Sequence, residues 1–449
     1  MKTQIDPSIF KSYDIRGTYP DQLNETVAER IGRAFVRFTS ARTVAIGRDM
    51  RSSSAPLCEA FSRGVAAMGA DVVDLGLTST DELYFAVGKF GYPAGAMITA
   101  SHNPKEYNGF KLCREGAVAL SAETGVFAIR DLVLSDDLEA AAAAKGNVTR
   151  RDVLADFVEH CLSFVDRKAI KPLKIAIDCG NGMGGLIVPA IFERLPVQVI
   201  PLYFELDGEF PNHPASPIEP ENMEDVQRAV REHGADLGAA FDGDADRVFI
   251  TDERGTLVGG DMVTALVAEM LLRSHAGATV LYNLICSRGV PELIESRGGI
   301  AVRTRVGHSI IKAVMRERNA IFGGEHSGHF YFRDHYFADS GLIALLVVLE
   351  LISREDKPVS ALLRPLDRRF RSGEINSRVA DVPAKLAQLE RSFPDAQTDH
   401  LDGVTIQYPD WWANVRPSNT EPLLRLNVEA DDPALLAKRR DDLLAIIRG

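Results

Sequence analysis

Three aspartates alternate in FDGDADR: Asp242, Asp244 and Asp246. Carboxylates this close repel one another unless a cation neutralises them, and an all-oxygen set suits a hard ion such as Mg²⁺, Mn²⁺ or Ca²⁺. An exposed acidic turn fits less well, because the cluster lies between two apolar runs, LGAAF and VFITD. An EF-hand would place Glu253 at loop position twelve, but position six, which needs glycine for its sharp turn, is Arg247. VFITD also reads as a strand rather than a helix entry. A second candidate lies in AMITASHNPKEYNGFKL, where an apolar strand breaks at Ser101 and His102, Asn103 and Pro104 follow. These residues form turns, yet a serine at a strand end can also be a nucleophile.

Two further clusters point to ligand recognition. GGEHSGH supplies Glu325, His326, Ser327, Gly328 and His329, with His308 upstream in TRVGHSIIK. No cysteine partners these histidines and their spacing is not H-E-x-x-H, so zinc is a poor fit. A carboxylate and a hydroxyl beside glycines suit the paired hydroxyls of a sugar; a capped helix start is the competing reading. NVRPSNTEPLLRL brings Arg416, Ser418, Asn419, Thr420 and Arg425 close in sequence. Hydroxyls, an amide and guanidinium groups make an anion site best suited to phosphate. A turn at Pro417-Ser418-Asn419 accounts for the same residues equally well.

The elements that must position these loops recur. Segments starting at Thr43, Lys174 and Thr279 each read as strand, turn, helix, strand, and a later strand follows in each. Those later strands end in TASHNP, DGDADR and GGEHSGH. Strands alternating with helices imply mostly parallel sheets, and in open α/β sheets ligands bind beyond the strands' carboxyl ends. Three related α/β domains presenting three loops to one cleft are expected. GNGMGG at 180–185 matches G-x-G-x-x-G, but the acid expected about twenty residues on is not cleanly placed. A tight strand-to-helix turn explains it, as it does GRDMRS and CSRGVP at the same point of the other repeats. From about Ser372 the pattern changes to a small α+β domain. The expected domains are 1–147, 148–252, 253–366 and 367–449.

With 449 residues the chain is too long for one core. Its net charge of -12 argues against a general nucleic-acid or anionic-membrane surface. Five scattered cysteines without C-x-x-C suit reduced, buried thiols in a cytoplasmic protein. The N-terminus lacks the apolar core of a signal peptide, and the longest apolar run, at 341–352, is too short for a bilayer and reads as a buried helix.

Phosphoryl transfer needs positioning and charge neutralisation more than covalent chemistry from the protein. A phosphate on Ser101 would sit next to Mg²⁺ held by Asp242, Asp244 and Asp246, which puts Ser101 in the metal set as well. Arg247 and Lys111 could carry more of its charge, with the ligand's own phosphate on Arg416, Ser418, Asn419 and Thr420.

TASHNP, DGDADR, GGEHSGH and RPSNTEP occur in this order, and together they resemble the four signature loops of the α-D-phosphohexomutase superfamily. YDIRG at 13–17, GRDMRSS, DGEFPNHPASP and the WW pair support the resemblance, which spans essentially the whole chain. GEHSGH with SNTEP is similar to the phosphomannomutase/phosphoglucomutase branch; phosphoglucosamine mutases more often carry DGDGDR, GEQSGH and SGTEP. The resemblance implies that Ser101 carries a phosphate, passes it to a hexose 1- or 6-phosphate, and recovers it from a hexose 1,6-bisphosphate, which also serves as activator. It implies acid-base or phosphate roles for Arg16, Lys111, His308 and His329, and ligand contacts for Tyr13, Arg247, Glu325 and Ser327. A monomer or homodimer acting on small phosphosugars, mannose first among them, is the expectation, with no nucleic acid and no membrane. Phosphoglucomutase and phosphoglucosamine mutase activity, a metal-dependent phosphatase and a non-catalytic sugar-phosphate sensor are the alternatives. One departure stands out: some relatives carry a substrate-reaching lysine where this chain has Ile285, and Arg288 or Arg305 is expected to substitute.

Overall fold

The computed structural model describes residues 5–135, 138, 142, 144–418 and 423–449, and His308 by its backbone alone. Three α/β domains precede a C-terminal α+β domain; their sheets are mixed, with antiparallel pairings about as frequent as the parallel ones that the sequence led us to expect. The first contains β1 (Ile15–Thr18), α1 (Glu25–Thr39), β2 (Thr43–Arg48), α2 (Ser54–Ala67), β3 (Asp71–Leu77), α3 (Thr80–Phe90), β4 (Ala94–Ile98), β5 (Tyr107–Arg114), β6 (Val118–Ala119), α4 (Phe127–Leu134) and β7 (Val148–Arg150). Its sheet runs β1-β5-β4-β2-β3-β7, with β6 on β5. The next elements are α5 (Leu154–Leu162), β8 (Leu173–Asp178), α6 (Gly184–Phe192), β9 (Val197–Leu202), α7 (Glu224–His233), β10 (Leu237–Phe241), β11 (Val248–Thr251) and β12 (Leu257–Val258), in the order β12-β11-β10-β8-β9.

The third set is α8 (Gly260–Leu272), β13 (Thr279–Asn283), α9 (Gly289–Ser296), β14 (Ile300–Thr304), α10 (His308–Arg318), β15 (Phe322–Gly324), β16 (Phe330–Phe332), β17 (Ala338–Asp339), α11 (Gly341–Glu355) and α12 (Val359–Leu363). Here β14 and β15 flank β13 in parallel, and β16 pairs antiparallel with β17. The last part holds β18 (Phe370–Arg371), β19 (Ile375–Arg378), α13 (Val382–Ser392), β20 (Gln397–Asp399), β21 (Val404–Gln407), β22 (Trp411–Pro417), β23 (Leu423–Ala430) and α14 (Pro433–Arg448). Among the described residues all its pairings are antiparallel, with sheet order β18-β23-β22-β21-β20 and β19 on β23.

The repeat read from the sequence is present as topology. In each α/β domain the first strand lies between the second and the third: β4-β2-β3, β10-β8-β9 and β15-β13-β14. Turns at 49–53, 179–183 and 284–288, equal in length, lead from the first strand into the helix. Each third strand is wholly buried, as its unbroken apolar run requires. Its carboxyl end therefore delivers the polar loop at the sheet margin.

Two compact units emerge from the packing: Met1–Gly260 with Ser327–Ser360, and Asp261–His326 with Ala361–Gly449. Helix α11 belongs to the first and is buried on every side from Gly341 to Ser353, which is why its sequence shows no polar face. Ser340 caps it, accepting from the Ile343 amide at 3.2 Å and donating to the buried Asp81 at 2.7 Å. All five cysteines are free and buried. Among the described residues no helix is long and apolar enough to cross a membrane.

Candidate active site

Ser101 is the third residue after β4 and is 4% exposed. Its φ of 51° places it in the left-handed region, at a cost of about 1–2 kcal/mol for a residue with a Cβ. The turn is held from both sides: the Ser101 amide donates to Thr99 Oγ1 at 2.8 Å, and its carbonyl accepts from Arg51 at 2.9 Å. The hydroxyl then points at the metal loop, donating to Asp242 Oδ2 at 2.8 Å and accepting from Arg247 at 3.2 Å. His102 Nδ1 lies 3.2 Å from the same hydroxyl and also faces Arg247. The Arg247 guanidinium, with burial, holds the His102 pKa well below the usual imidazole value.

Asp242, Asp244 and Asp246 are no more than 1% exposed. One carboxylate oxygen from each lies within 4.8 Å of the others. Burial pushes the Asp242 pKa up to about 7, against the pull of Arg247. Burial also acts on Asp244, but the Lys111 charge and bonds from Lys111 and Thr80 outweigh it and hold the carboxyl below its ordinary value. Lys111 donates to Asp244 Oδ2 at 2.6 Å and to Asp246 Oδ2. Burial opposes its charge, and the two carboxylates reverse that, raising its pKa well above the usual ammonium value. Asp244 Oδ1 and Asp246 Oδ1 are buried with no hydrogen-bond partner. Two orphaned anionic oxygens inside an all-carboxylate set fit the divalent cation that the sequence suggested.

Glycines let the loops approach. A Cβ on Gly243 would come within 2.4 Å of the Ser101 carbonyl oxygen, and one on Gly182 within 2.7 Å of the Gly243 oxygen. The Met183 amide donates to that same Gly243 oxygen at 2.9 Å. The GNGMGG turn thus buttresses the loop of the three aspartates. Glu253, the EF-hand decoy, accepts from the Ser360 hydroxyl and amide instead.

The first unit brings several other expected residues to this point. His329 forms a backbone bridge with Arg247. Its Nε2 lies 3.9 Å from both Asp246 and Asp339, and Ser327 Oγ sits 3.0 Å from its Nδ1. Arg16, on β1, donates to Asn103 Oδ1 at 2.5 Å and pairs with Asp14; Tyr13 is half-buried just ahead of it.

In the second unit, Glu325 is 2% exposed and accepts from the Gly307 amide at 3.1 Å. Arg416 donates to Glu374 at 2.7 Å, Arg425 pairs with Glu374 at 3.2 Å, and Arg425 donates to Ser418 Oγ at 3.2 Å. Asn419, Thr420 and the His308 side chain lie outside the described residues. Arg288, named with Arg305 as a stand-in for a substrate-reaching lysine, is engaged by main chain in this structure. Its guanidinium is spent on the carbonyls of Tyr408 at 2.8 Å and Pro409 at 3.1 Å.

Sequence reading missed Arg51, Glu374 and Thr80. The Thr80 hydroxyl donates to Asp244 Oδ2 at 2.5 Å and its amide to the Asp244 carbonyl at 3.0 Å. Only the capping pattern STDE, which places Thr80 first in α3, hinted that a helix N-terminus stands there.

Family models match the chain in four consecutive pieces. Those described as phosphoglucomutase/phosphomannomutase α/β/α domains I, II and III match residues 7–139, 155–255 and 259–369, and the C-terminal domain model matches 374–446. The chain belongs to the phosphoglucomutase/phosphomannomutase family. Among relatives of this family, a protein from Xanthomonas campestris pv. campestris named for phosphohexose mutases is 42% identical over 98% of this chain and 99% of its own. A phosphomannomutase of Salmonella typhimurium is 40% identical over 98% of each. A crystal structure of a phosphoglucomutase/phosphomannomutase family protein from Burkholderia thailandensis superposes with a TM-score of 0.91 at 33% identity, covering 99% of this chain and 98% of that one. An N-acetylglucosamine-phosphate mutase of the α-D-phosphohexomutase superfamily, at 14% identity and a TM-score of 0.60, shares the fold.

Proposed function

We propose that this phosphohexomutase interconverts mannose 6-phosphate and mannose 1-phosphate through a phosphoserine at Ser101 and a hexose 1,6-bisphosphate intermediate. The observation that carries the reading is the Ser101 hydroxyl, held at 2.8 Å from Asp242 Oδ2 and 3.2 Å from Arg247. The names of the relatives favour mannose; glucose is the second sugar.

In the forward half-reaction the free sugar hydroxyl attacks the phosphorus on Ser101. The bond from phosphorus to Ser101 Oγ breaks, a bond to the sugar oxygen forms, and the hydroxyl proton leaves. Asp242, Asp244 and Asp246 would hold Mg²⁺, which when bound supplies charge stabilisation for the transferring group. Arg247 donates to the departing serine oxygen, and Lys111, kept charged by its two carboxylates, neutralises charge rather than accepting a proton. His329 is then the proposed proton acceptor, oriented by Ser327. The bisphosphate returns its other phosphate to Ser101 by the reverse step, so a trace of bisphosphate activates unphosphorylated enzyme. Arg16 and Tyr13 are proposed to guide the phosphosugar, Glu325 and Ser327 to read its hydroxyls. Arg416, Ser418, Asn419, Thr420 and His308 are proposed to take its non-reacting phosphate.

The test is ³¹P NMR of the enzyme with Mg²⁺, a trace of hexose 1,6-bisphosphate, and mannose, glucose or N-acetylglucosamine 1-phosphate in turn. Growth of a 6-phosphate resonance, fastest with mannose, is the expected result. Growth of inorganic phosphate, or no change in any tube, overturns the proposal.

A further inference from the structure

The turn GRDMRSS leads from β2 into α2 and contributes nothing to the steps above, yet it contains Arg51, which is 2% exposed. One guanidinium nitrogen donates to the carbonyls of Pro104 at 2.8 Å and Tyr107 at 3.1 Å. The other donates to those of Ser101 at 2.9 Å and Asn103 at 2.6 Å. Its Nε lies 3.3 Å from Asp49 Oδ2, and the Phe210 ring covers the guanidinium at 4.9 Å. Gly208 permits that cover, since a Cβ there would come within 2.5 Å of Arg51 Cα.

Main-chain carbonyls turned from water need donors; three of these four belong to the loop after β4 and the fourth, Tyr107, opens β5. Only a planar guanidinium supplies so many donors in a fixed fork. Arg51 touches main-chain oxygens and no part of the Ser101 side chain beyond them, so whatever it does for chemistry it does through the serine backbone. That backbone sits at a φ of 51°, a conformation that persists only where its surroundings over-determine it.

We propose that Arg51, roofed by Phe210, is a positioning residue for phosphoryl transfer. It gathers the carbonyls of Ser101, Asn103, Pro104 and Tyr107, and so keeps the Ser101 hydroxyl directed at Asp242 and Arg247. This inference rests on the phosphoserine reading above. A misplacement of about 1 Å in a reacting group costs roughly 100-fold in rate, while the three aspartates, which Arg51 does not hydrogen-bond, keep most of the hold on a cation.

Arg51→Lys keeps a cation opposite Asp49 but loses the fork. Its kcat for hexose phosphate isomerisation falls about 100-fold, with KM and calorimetric Mn²⁺ affinity within about threefold of wild type. Phe210→Leu, which leaves every Arg51 donor in place, loses roughly fivefold in kcat at unchanged KM, a fraction of the positioning effect. Arg51→Lys turnover within about threefold of wild type overturns the proposal. So does a parallel loss of kcat, Mn²⁺ affinity and thermal stability, which marks a residue that only holds the fold. If Arg51→Lys does not fold, wild-type kcat in Phe210→Leu overturns the proposal and a selective fall in kcat supports it. Mass spectrometry of wild-type Ser101 after exposure to hexose 1,6-bisphosphate separates the two levels. No phosphate there defeats the phosphoserine reading itself, whatever the variants do.

Discussion

Replacing Lys111 with methionine separates folding from metal binding, because the same carboxylates serve both. The ammonium sits 2.6 Å from Asp244 Oδ2 and also pairs with Asp246, with only 11% of its side chain exposed. Methionine keeps most of the stem and removes the charge. Without a divalent cation, Lys111→Met leaves two buried carboxylates short of a partner, a loss of about 3–5 kcal/mol. For a unit of nearly 300 residues, at about 2.1 cal/mol/K per residue, each kcal/mol moves the melting temperature roughly 1.6 °C, so melts in EDTA fall by roughly 5–8 °C. With a divalent cation present the balance shifts, since the ammonium repels that cation. Unit charges 4 Å apart interact by about 4 kcal/mol at an effective dielectric of 20. Relieving even a third of that tightens Mn²⁺ binding about tenfold. Excess Mg²⁺, at about 100 times its dissociation constant, stabilises by about 2.7 kcal/mol and recovers much of the melting temperature. Thermal melts with EDTA and with Mg²⁺, and calorimetric titration with Mn²⁺, read both effects. An equal drop in both melts, or weaker Mn²⁺ binding, would refute the assignment of these carboxylates to a cation.

Three other outcomes follow from single observations. Ser101→Gly and Ser101→Ala both lose isomerase activity, but the glycine variant is the more stable by about 1 kcal/mol, because the φ of 51° suits glycine; denaturant melts giving the reverse order would contradict the strain. Gly243→Ala drives a methyl to within 2.4 Å of the Ser101 carbonyl, costing about 1–3 kcal/mol and roughly 100-fold in kcat, and wild-type kinetics would show that the loops need not touch. His160, 4.8 Å from the Phe85 ring and 3.0 Å from His335 Nδ1, has its pKa pushed down to about 4 by burial, with a smaller contribution from Lys89. It is neutral in the fold, so its contribution is whole above the unfolded pKa of about 6.5 and is lost as pH falls toward 4. By pH 5 this costs about 1–2 kcal/mol after discounting for partial exposure. His160→Phe should flatten the fall in melting temperature between pH 7 and pH 5; an unchanged slope removes His160 as its source.

Much of the fold was legible because it is local. The runs AGAMI, LGAAF and FGG are buried third strands, and each apolar run ending in a polar cluster declared both strand and loop. The stretch at 341–352 read as a buried helix because no face of it is polar, and α11 is that helix. What stayed hidden depends on tertiary contact. Arg51 and Thr80 look like ordinary turn and cap residues, and their partners lie up to 56 and 164 positions away. Gly182 lies in what read as a tight turn, and nothing in the sequence shows that its lack of a Cβ, or that of Gly243, matters for loops that meet across the fold. The engagement of Arg288 was hidden for the same reason: a guanidinium in a loop looks available until carbonyls from β22 and the turn before it are placed around it.

The central claim is that Ser101 gives its phosphate to one position of the sugar and takes back the phosphate from the other. Enzyme charged with hexose 1,6-bisphosphate and freed of small molecules would be given a stoichiometric amount of mannose 6-phosphate with Mg²⁺, then quenched over a time course. Peptide mass spectrometry would follow phosphate on the Ser101 peptide, and ³¹P NMR the sugars. The account predicts that phosphate leaves that peptide mole for mole as hexose 1,6-bisphosphate appears. Phosphate on another residue, or its loss from Ser101 as inorganic phosphate alone, would contradict it.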